Sequence, residues 1–172
     1  SGRQEEAHQI NAACEAYRDE VSSEAAQYDM SKYVDLILAV MMQESSGQGT
    51  DPMQSSEGAY NTRYPQQPNG ITDPSYSISC GIQELKYALD KAGCTGPTDL
   101  SKIRLALQAY NFGADSYFAY LEENGQTVWT AQSAQAFAQM ASGGTQRDED
   151  DPLHDPAGPW DYGDQYYPDH VL

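Results

Sequence analysis

The amino-acid sequence predicts a mainly α-helical protein with little or no β-sheet. Apolar residues recur at the i, i+3, i+4 spacing of an amphipathic helix in several segments, and no segment shows the apolar–polar alternation of a strand. A stretch rich in Gly, Ser and Pro, residues 46–74, separates the early helices from the later ones. Loops of this length are functional or disordered in compact domains, and we expect this one to be ordered and functional.

The helices follow from composition, apolar spacing and end signals. The first is rich in Ala, Glu and Gln, which favour helix formation. The second is expected to begin at an N-cap formed by Asp29 or Ser31, and the third to end at Gly93. The predicted helices span residues 4–28, 31–45, 75–93, 99–113, 114–123 and 130–142.

The chain is the size of one domain, with 172 residues. We divide it into an N-terminal helical segment, 1–29, and a main domain, 30–172. Within the main domain, about 145–160 reads as an acidic, solvated insertion, because its carboxylates lack the spacing of an EF-hand calcium loop. No hydrophobic stretch is long enough to cross a membrane.

Charge and cysteine content restrict the partners. The net charge of −17 disfavours nucleic acid, because the field of the protein would repel phosphate. No Cys or His spacing typical of a metal site is present, so we expect neither metal nor cofactor. Three cysteines cannot all pair within the chain, which leaves either a Cys80–Cys94 bridge or free thiols.

Glu44 is the first candidate for chemistry. It follows an apolar helix face formed by Val34, Ile37, Leu38 and Met41. At 100° per residue it projects about 20° from Ile37 and about 60° from Met41, on the buried side of the helix. Burial and the negative end of the helix dipole would both raise the pKa of this carboxyl, as a general acid requires. Exposure at the helix end, or pairing with a cation, is the alternative.

Three motifs then occur in order: "QESSG" at 43–47, "SCGIQEL" at 79–85 and "ALQAYNFG" at 106–113. This set resembles the motifs of the lysozyme-like superfamily of lytic transglycosylases and goose-type lysozymes. The sequence is most similar to the muramidase domain of CwlT-type cell-wall hydrolases, over about 30–142 and again from 161. The single residue between Gly81 and Gln83, where the common motif has two, fits that group. The resemblance implies a lysozyme-like helical domain with a long active-site loop.

The resemblance also implies an enzyme that cleaves the β-1,4 bond between N-acetylmuramic acid and N-acetylglucosamine in peptidoglycan. Glu44 would be the general acid, and Asp51 the second carboxylate that a glycosidase needs. Asp51 could instead be a turn residue, with Glu57 as a weaker substitute. The substrate-binding candidates are Ser56, which would bond Glu44 or an N-acetyl group, and Gln83, Tyr110 and Asn111.

Two other functions remain open at this stage. In a lytic transglycosylase the muramyl 6-hydroxyl attacks instead of water, and a 1,6-anhydro end results. In a peptidoglycan-binding module no bond is cleaved.

The family setting implies a protein at the outer face of a Gram-positive membrane that opens the wall locally for a conjugative element or a phage. The parent protein would be membrane-anchored, would carry a second peptidase domain and would act as a monomer.

Overall fold

The computed structural model describes residues 9–172, and the mainly α-helical fold class is confirmed. Within these residues there is no β-strand, and one isolated bridge pairs Gln146 with Trp160. No described helix combines the length and apolar character needed to cross a membrane. The α-helices of the described part are α1 Ala12–Glu15, α2 Arg18–Gln27, α3 Val34–Ser45, α4 Pro74–Ala92, α5 Leu100–Phe112, α6 Ala114–Glu123, α7 Ala131–Ala141, α8 His154–Ala157 and α9 Tyr167–Val171.

The helix ends differ from prediction in two places. The first predicted helix is interrupted, and α2 begins after Tyr17; the part of that prediction on residues 1–8 lies outside the described residues. The N-cap prediction for the second helix was wrong. Asp29 has a left-handed φ of 58° just after α2, and a 3-10 turn over Ser31–Tyr33 leads into α3. Asp29 therefore ends one helix rather than starting the next.

The chain forms two compact units. The first comprises the residues up to Tyr87 together with Val171–Leu172, and the second comprises Ala88–His170. The division of the chain at residue 29/30 stays a prediction.

The first unit has a core built from α2, α3 and α4. Each helix turns one apolar stripe inward, as the sequence periodicity predicts. The fully buried side chains of this core include Val21, Ile37, Leu38, Met41, Ile78, Ile82 and Leu85.

The second unit is built around an aromatic cluster. Phe112 and Phe137 stack with ring centroids 5.0 Å apart, and Tyr117 and Tyr162 meet Phe137 edge-on. Arg147 connects the two ends of the acidic segment in this unit. Its buried guanidinium donates hydrogen bonds to the backbone carbonyls of Gly158 and Gly163. The acidic side chains at 148–150 are exposed.

Candidate active site

Glu44 lies in the last turn of α3 and is half-buried. The helix ends at Ser45, because the next residue, Ser46, adopts a left-handed φ of 55°. Asn11 holds this end by donating to the Ser46 carbonyl at 2.9 Å. Gly47 then passes so close to the backbone of α1 that a Cβ would lie 2.9 Å from the Cys14 nitrogen. The serines and glycine after Glu44 thus fix where the helix ends.

The loop that follows folds back onto the helix end. Ser45 donates from Oγ to the Pro52 carbonyl at 2.7 Å, and Thr50 donates to the Ile71 carbonyl at 3.0 Å. These bonds tie the start of the loop to α3 and to the loop's own later part. The loop is therefore ordered, which brings Asp51 to the buried side of the same unit.

Asp51 is the centre of the loop's hydrogen bonding. Its side chain is 1% exposed and accepts three hydrogen bonds. Oδ1 accepts from the Ser55 amide at 3.0 Å and from the Ser77 hydroxyl at 2.7 Å, and Oδ2 accepts from the Ser56 hydroxyl. An ionised carboxylate offers about four lone-pair positions, all acceptors, so this arrangement suits it and leaves one position on Oδ2.

Ser56 is buried and serves the loop. Its hydroxyl gives its proton to Asp51 and accepts from the Ile71 amide at 2.9 Å. A hydroxyl has one proton to donate, so Ser56 acts on the site through Asp51 in this geometry.

Helix α4 meets the loop along one face. Ser77, Gly81 and Glu84 share this face, because positions i, i+4 and i+7 of a helix point in similar directions. Ser77 bonds Asp51, and it also accepts from the Met53 amide at 3.0 Å. A Cβ on Gly81 would lie 2.6 Å from the Met53 side chain. The glycine of the second motif is therefore required because the loop packs directly on its Cα.

Glu84 continues this face to the far end of the loop. Its carboxyl lies against Gly58, where a Cβ would overlap it. Oε2 is buried and has no hydrogen-bond partner among the described residues. Burial raises the pKa of Glu84 to about 8, and the negative charges of Glu44 and Asp51 add to the effect. Glu84 and Glu44 are thus electrostatic neighbours within one unit.

A second face of α4 lines a cleft of about 440 Å³. It presents Tyr76, Ser79 and Gln83, again at helical spacing. Gln83 donates from Nε2 to the Ser79 carbonyl at 3.2 Å and to its hydroxyl at 3.4 Å. Its Oε1 is left as an acceptor that the cleft can use. The rest of the lining consists of Tyr28, Tyr60, Thr62, Arg63, Asp73 and Ser75.

The tyrosines of this cleft are held in place. The Tyr76 hydroxyl donates to the Tyr60 carbonyl at 3.2 Å and accepts from the Thr62 amide at 2.9 Å. The Arg63 guanidinium lies 5.0 Å from the centroid of the Tyr76 ring. Rigid tyrosine faces with nearby polar groups suit a polar ligand such as a sugar. Glu44 is not among the residues that line this cleft.

The third motif belongs to the second unit. Tyr110 and Asn111 lie in the last turn of α5, and both are half-buried. Asn111 accepts from the Asp164 amide at 2.7 Å, and Gly163 packs on the same side chain. The Asn111 oxygen thus anchors the chain segment that follows the acidic stretch. Its amide nitrogen donates to no described residue.

The part of the chain that the structure describes contains neither a candidate metal site nor a disulfide bond. Within it, no cluster of His, Cys, Asp and Glu could hold a metal ion. Cys14, Cys80 and Cys94 form no disulfide, so the bridge considered for Cys80 and Cys94 is absent.

The sequence did not single out Glu84 or Ser77. A signal for Glu84 existed: it is a charged residue one turn after Cys80 and one turn before Ala88, both of which are buried. A carboxyl at the helical spacing of buried residues is the same signal that identified Glu44. Ser77 carried no such signal, because a buried serine in a helix is ordinary.

The comparisons with known proteins agree with these motifs. The family model described as Lysozyme-like matches residues 12–172. The bifunctional muramidase/DL-endopeptidase CwlT of Bacillus subtilis (strain 168) is 34% identical over 158 residues, which cover 92% of this chain and 40% of that protein. The pneumococcal vaccine antigen A homolog of Streptococcus pyogenes serotype M1 is 37% identical over 110 residues, which cover 64% of this chain and 50% of that protein.

A solved structure has the same fold. It is a Staphylococcus aureus (Mu50) protein described as similar to lipoprotein, NLP/P60 family, with a TM-score of 0.78 and 27% identity. The match covers 95% of this chain and 52% of that one. The chain therefore spans between 40% and 52% of the length of these relatives. On the family match and the CwlT identity together, the chain belongs to the Lysozyme-like family and contains a lysozyme-like domain of the CwlT type.

Proposed function

We propose that this domain is an N-acetylmuramidase, which cleaves the β-1,4 bond between N-acetylmuramic acid and N-acetylglucosamine in peptidoglycan. The observation that carries the proposal is the carboxyl pair of the first unit. Glu44 lies half-buried in the last turn of an apolar helix, and the loop that follows folds back onto this helix end and carries the second carboxyl, that of the buried Asp51. A pair of carboxyl groups in a partly desolvated site is the working part of a glycosidase. The muramidase named among the relatives supports the same reaction.

Glu44 is the proposed general acid. It protonates the glycosidic oxygen as the bond to the muramyl C1 breaks, and the electron pair of that bond leaves with the oxygen. Asp51 is the proposed second carboxylate, and its free Oδ2 position would accept a proton from the attacking water. Two carboxyls about 6.5–9.5 Å apart would leave room for this water and give inversion at C1.

Four residues are proposed to support substrate binding. Gln83 would bond a sugar amide or hydroxyl from the tyrosine-lined cleft, because its Oε1 accepts no hydrogen bond from the described residues. Ser56 contributes by orienting Asp51. Asn111 would donate to a sugar from its amide nitrogen, and Tyr110 would contact a sugar face.

One observation favours a second candidate, a lytic transglycosylase. Asp51 is 1% exposed and three of its four acceptor positions are taken, which restricts its access to water. Without a base for water, Glu44 would first act as acid and then as base toward the muramyl 6-hydroxyl. The product would be a 1,6-anhydro end.

The test is a wall-clearing assay with mass spectrometry of the released muropeptides. We expect the natural chain to clear purified walls and Glu44→Gln to lose at least about 100-fold in rate, since the amide cannot donate a proton to the leaving oxygen. Glu123→Gln is the control, because Glu123 is exposed at the end of α6. It should keep full activity.

The products separate the candidates. Reducing ends that have gained water support the muramidase, and anhydro ends, lighter by one water, support the transglycosylase. If the natural chain and Glu44→Gln bind glycan equally and neither clears walls, the domain is a binding module instead. Equal clearing by both would exclude Glu44 as the general acid.

The setting is also a proposal. We place the domain in the cell wall, at the outer face of a Gram-positive membrane, where local wall opening would serve a conjugative element or a phage. The parent protein is proposed to be a monomer with a membrane anchor and a peptidase domain. The bifunctional name of CwlT supports the peptidase domain, and the name of another relative, the uncharacterized membrane protein YocA of Bacillus subtilis (strain 168), supports the anchor. Peptidoglycan strands are the proposed partner, and nucleic acid is not.

A further inference from the structure

Arg63 lies in the cleft of the first unit, and the proposed reaction gives its charge no role. The cleft is lined by Tyr76, Ser79 and Gln83 of α4 and by residues of the preceding loop, among them Arg63. The Arg63 side chain is exposed, so a ligand in the cleft can reach its guanidinium. The guanidinium lies 5.0 Å from the centroid of the Tyr76 ring, a contact that keeps it beside the wall of the cleft.

Arg63 differs from the other arginines of the described residues in its contacts. Arg18 and Arg104 form ion pairs with carboxylates, and Arg147 donates to backbone carbonyls. The Arg63 guanidinium has no carboxylate and no hydrogen-bond acceptor among the described residues, and its contact is the face of Tyr76. The chain has 26 acidic and 9 basic residues, so carboxylates are abundant. An arginine that lacks one, in a cleft, can bind an anionic group of a ligand.

The backbone that carries Arg63 is held in place by Asn61. Asn61 is 2% exposed, and its Oδ1 accepts from the Arg63 amide at 3.2 Å and from the Tyr64 amide at 3.0 Å. Its Nδ2 donates to the Ser56 carbonyl at 2.7 Å, and the Ser56 hydroxyl in turn donates to Asp51. Arg63 therefore follows an ordered turn that is tied to the loop segment with Asp51. Such preorganisation lowers the entropic cost of binding a ligand.

Asp73 is the other charged residue of the cleft lining, and it restricts which anions fit. Its Oδ1 accepts from the Ser75 amide at 3.1 Å, at the start of α4. One cation and one anion in the cleft, on a chain of net charge −17, give no excess of positive charge that would attract a polyanion. The cleft instead suits a ligand that presents a carboxylate among hydroxyl and amide groups, which Gln83 and the tyrosines can contact.

We propose that Arg63 binds a carboxylate on the lactyl substituent of N-acetylmuramic acid, so that this cleft distinguishes peptidoglycan from a glycan of N-acetylglucosamine alone. The proposal rests on the proposed function, which makes peptidoglycan the substrate. In peptidoglycan the carboxylate belongs to the stem peptide attached to the lactyl group, and in a peptide-free strand it belongs to the lactyl group itself. A guanidinium can donate two parallel hydrogen bonds to a carboxylate, and N-acetylglucosamine has no such group.

Calorimetric titration with matched glycans tests this role without turnover. The probes are chitotetraose, a peptide-free muramyl tetrasaccharide, and the same tetrasaccharide with its stem peptides. Each is titrated into Glu44→Gln, which should bind without cleaving. Adding Arg63→Gln to this background should weaken binding of the peptide-bearing probe about tenfold and binding of chitotetraose less than about twofold. The difference for the peptide-bearing probe should shrink as the salt concentration rises, because an exposed charge pair is screened.

Two further variants are the controls. Arg63→Lys keeps the charge but loses the planar fork, so it should lose less affinity than Arg63→Gln. Arg18→Gln removes an arginine of the same unit that lies outside the cleft lining, and it should leave all three affinities unchanged. The thermal midpoint of Arg63→Gln should equal that of its background, since the side chain is exposed and forms no ion pair with the described residues.

The outcomes are distinct. A loss confined to the peptide-bearing probe assigns the carboxylate to the stem peptide, and a loss with both muramyl probes assigns it to the lactyl group; either supports the proposal. Equal affinities with and without Arg63→Gln, an equal loss for chitotetraose, or no binding of the peptide-bearing probe would overturn it. The clearing assay reports separately on Glu44: if Glu44→Gln clears walls normally, it is the proposed function that fails.

Discussion

The protonated state of Glu84 should make the stability of this domain depend on pH. The pKa of its carboxyl is about 8 in the folded chain, against an ordinary value of 4.5. Folding therefore costs free energy wherever the unfolded chain would release this proton and the folded chain retains it. Glu84→Gln removes the titrating group while keeping the shape and the neutral charge.

The sign and size follow from the two pKa values. Below 4.5 both states hold the proton, so Glu84 adds no pH dependence. Between 4.5 and about 8 the folded state binds more protons, so the free energy of unfolding falls as pH rises, by up to about 1.4 kcal/mol per pH unit. Above about pH 8 the free energy of unfolding no longer falls on account of Glu84. Its total is roughly 3–5 kcal/mol, the lower figure allowing for the part of the side chain that solvent still reaches.

Urea unfolding followed by far-UV circular dichroism measures this difference. We compare the free energies of unfolding of the natural chain and Glu84→Gln at several pH values from about 4.5 to about 8.5. The natural chain should lose stability relative to the variant across this range. The control is Glu123→Gln, which removes an exposed acid of α6. Its free energy of unfolding should change with pH in parallel with that of the natural chain. A constant difference between the natural chain and Glu84→Gln would show that Glu84 ionises alike in both states, and the reasoning would be refuted.

Three further predictions concern packing inside each of the two units. Ser77→Ala removes a donor from buried Asp51 and should lower the free energy of unfolding by about 2 kcal/mol in urea titrations; an unchanged midpoint would contradict the role of this bond. Gly81→Ala places a methyl group against the Met53 side chain and should lower the free energy of unfolding by about 1–3 kcal/mol in the same urea titrations; a urea midpoint equal to that of the natural chain would disprove this. Arg147→Met leaves two backbone carbonyls without their donor and should speed proteolytic cleavage of the acidic segment at least about tenfold. Equal cleavage rates would mean that the segment is held by other contacts.

Most of the fold could be predicted because the helices carry local signals. The sequence predicted the ends of α4 to α7 to within two residues. Gly93 follows the last residue of α4 with a φ of 75°, as expected for a helix end. The start of α3 was missed because Asp29 has the composition of an N-cap but ends α2 in a left-handed conformation. The short helices α8 and α9 were missed because one or two turns contain too few residues to show a period.

The candidate site was only partly predictable, since it depends on contacts distant in sequence. The apolar stripe of α3 identified Glu44 without knowledge of any partner. Glu84 carries the same helical-spacing signal, but its contact with Gly58 depends on a loop that returns to α4 from more than 20 residues earlier. Asp51 was identified as a candidate, but its three donors are serines whose roles a single sequence does not reveal.

The motif "GIQEL" gains a physical interpretation from the two faces of α4. Gln83 and Glu84 are adjacent in sequence but about 100° apart around the helix, so they serve different surroundings. Gln83 shares the cleft with Tyr76, and Glu84 shares the loop with Gly58. A substitution at 83 should therefore alter ligand affinity, whereas one at 84 should alter the proton affinity of the carboxyl group. In this helix two adjacent polar residues have two separate surroundings, because a single residue step turns the side chain from the open cleft to the contact with the loop.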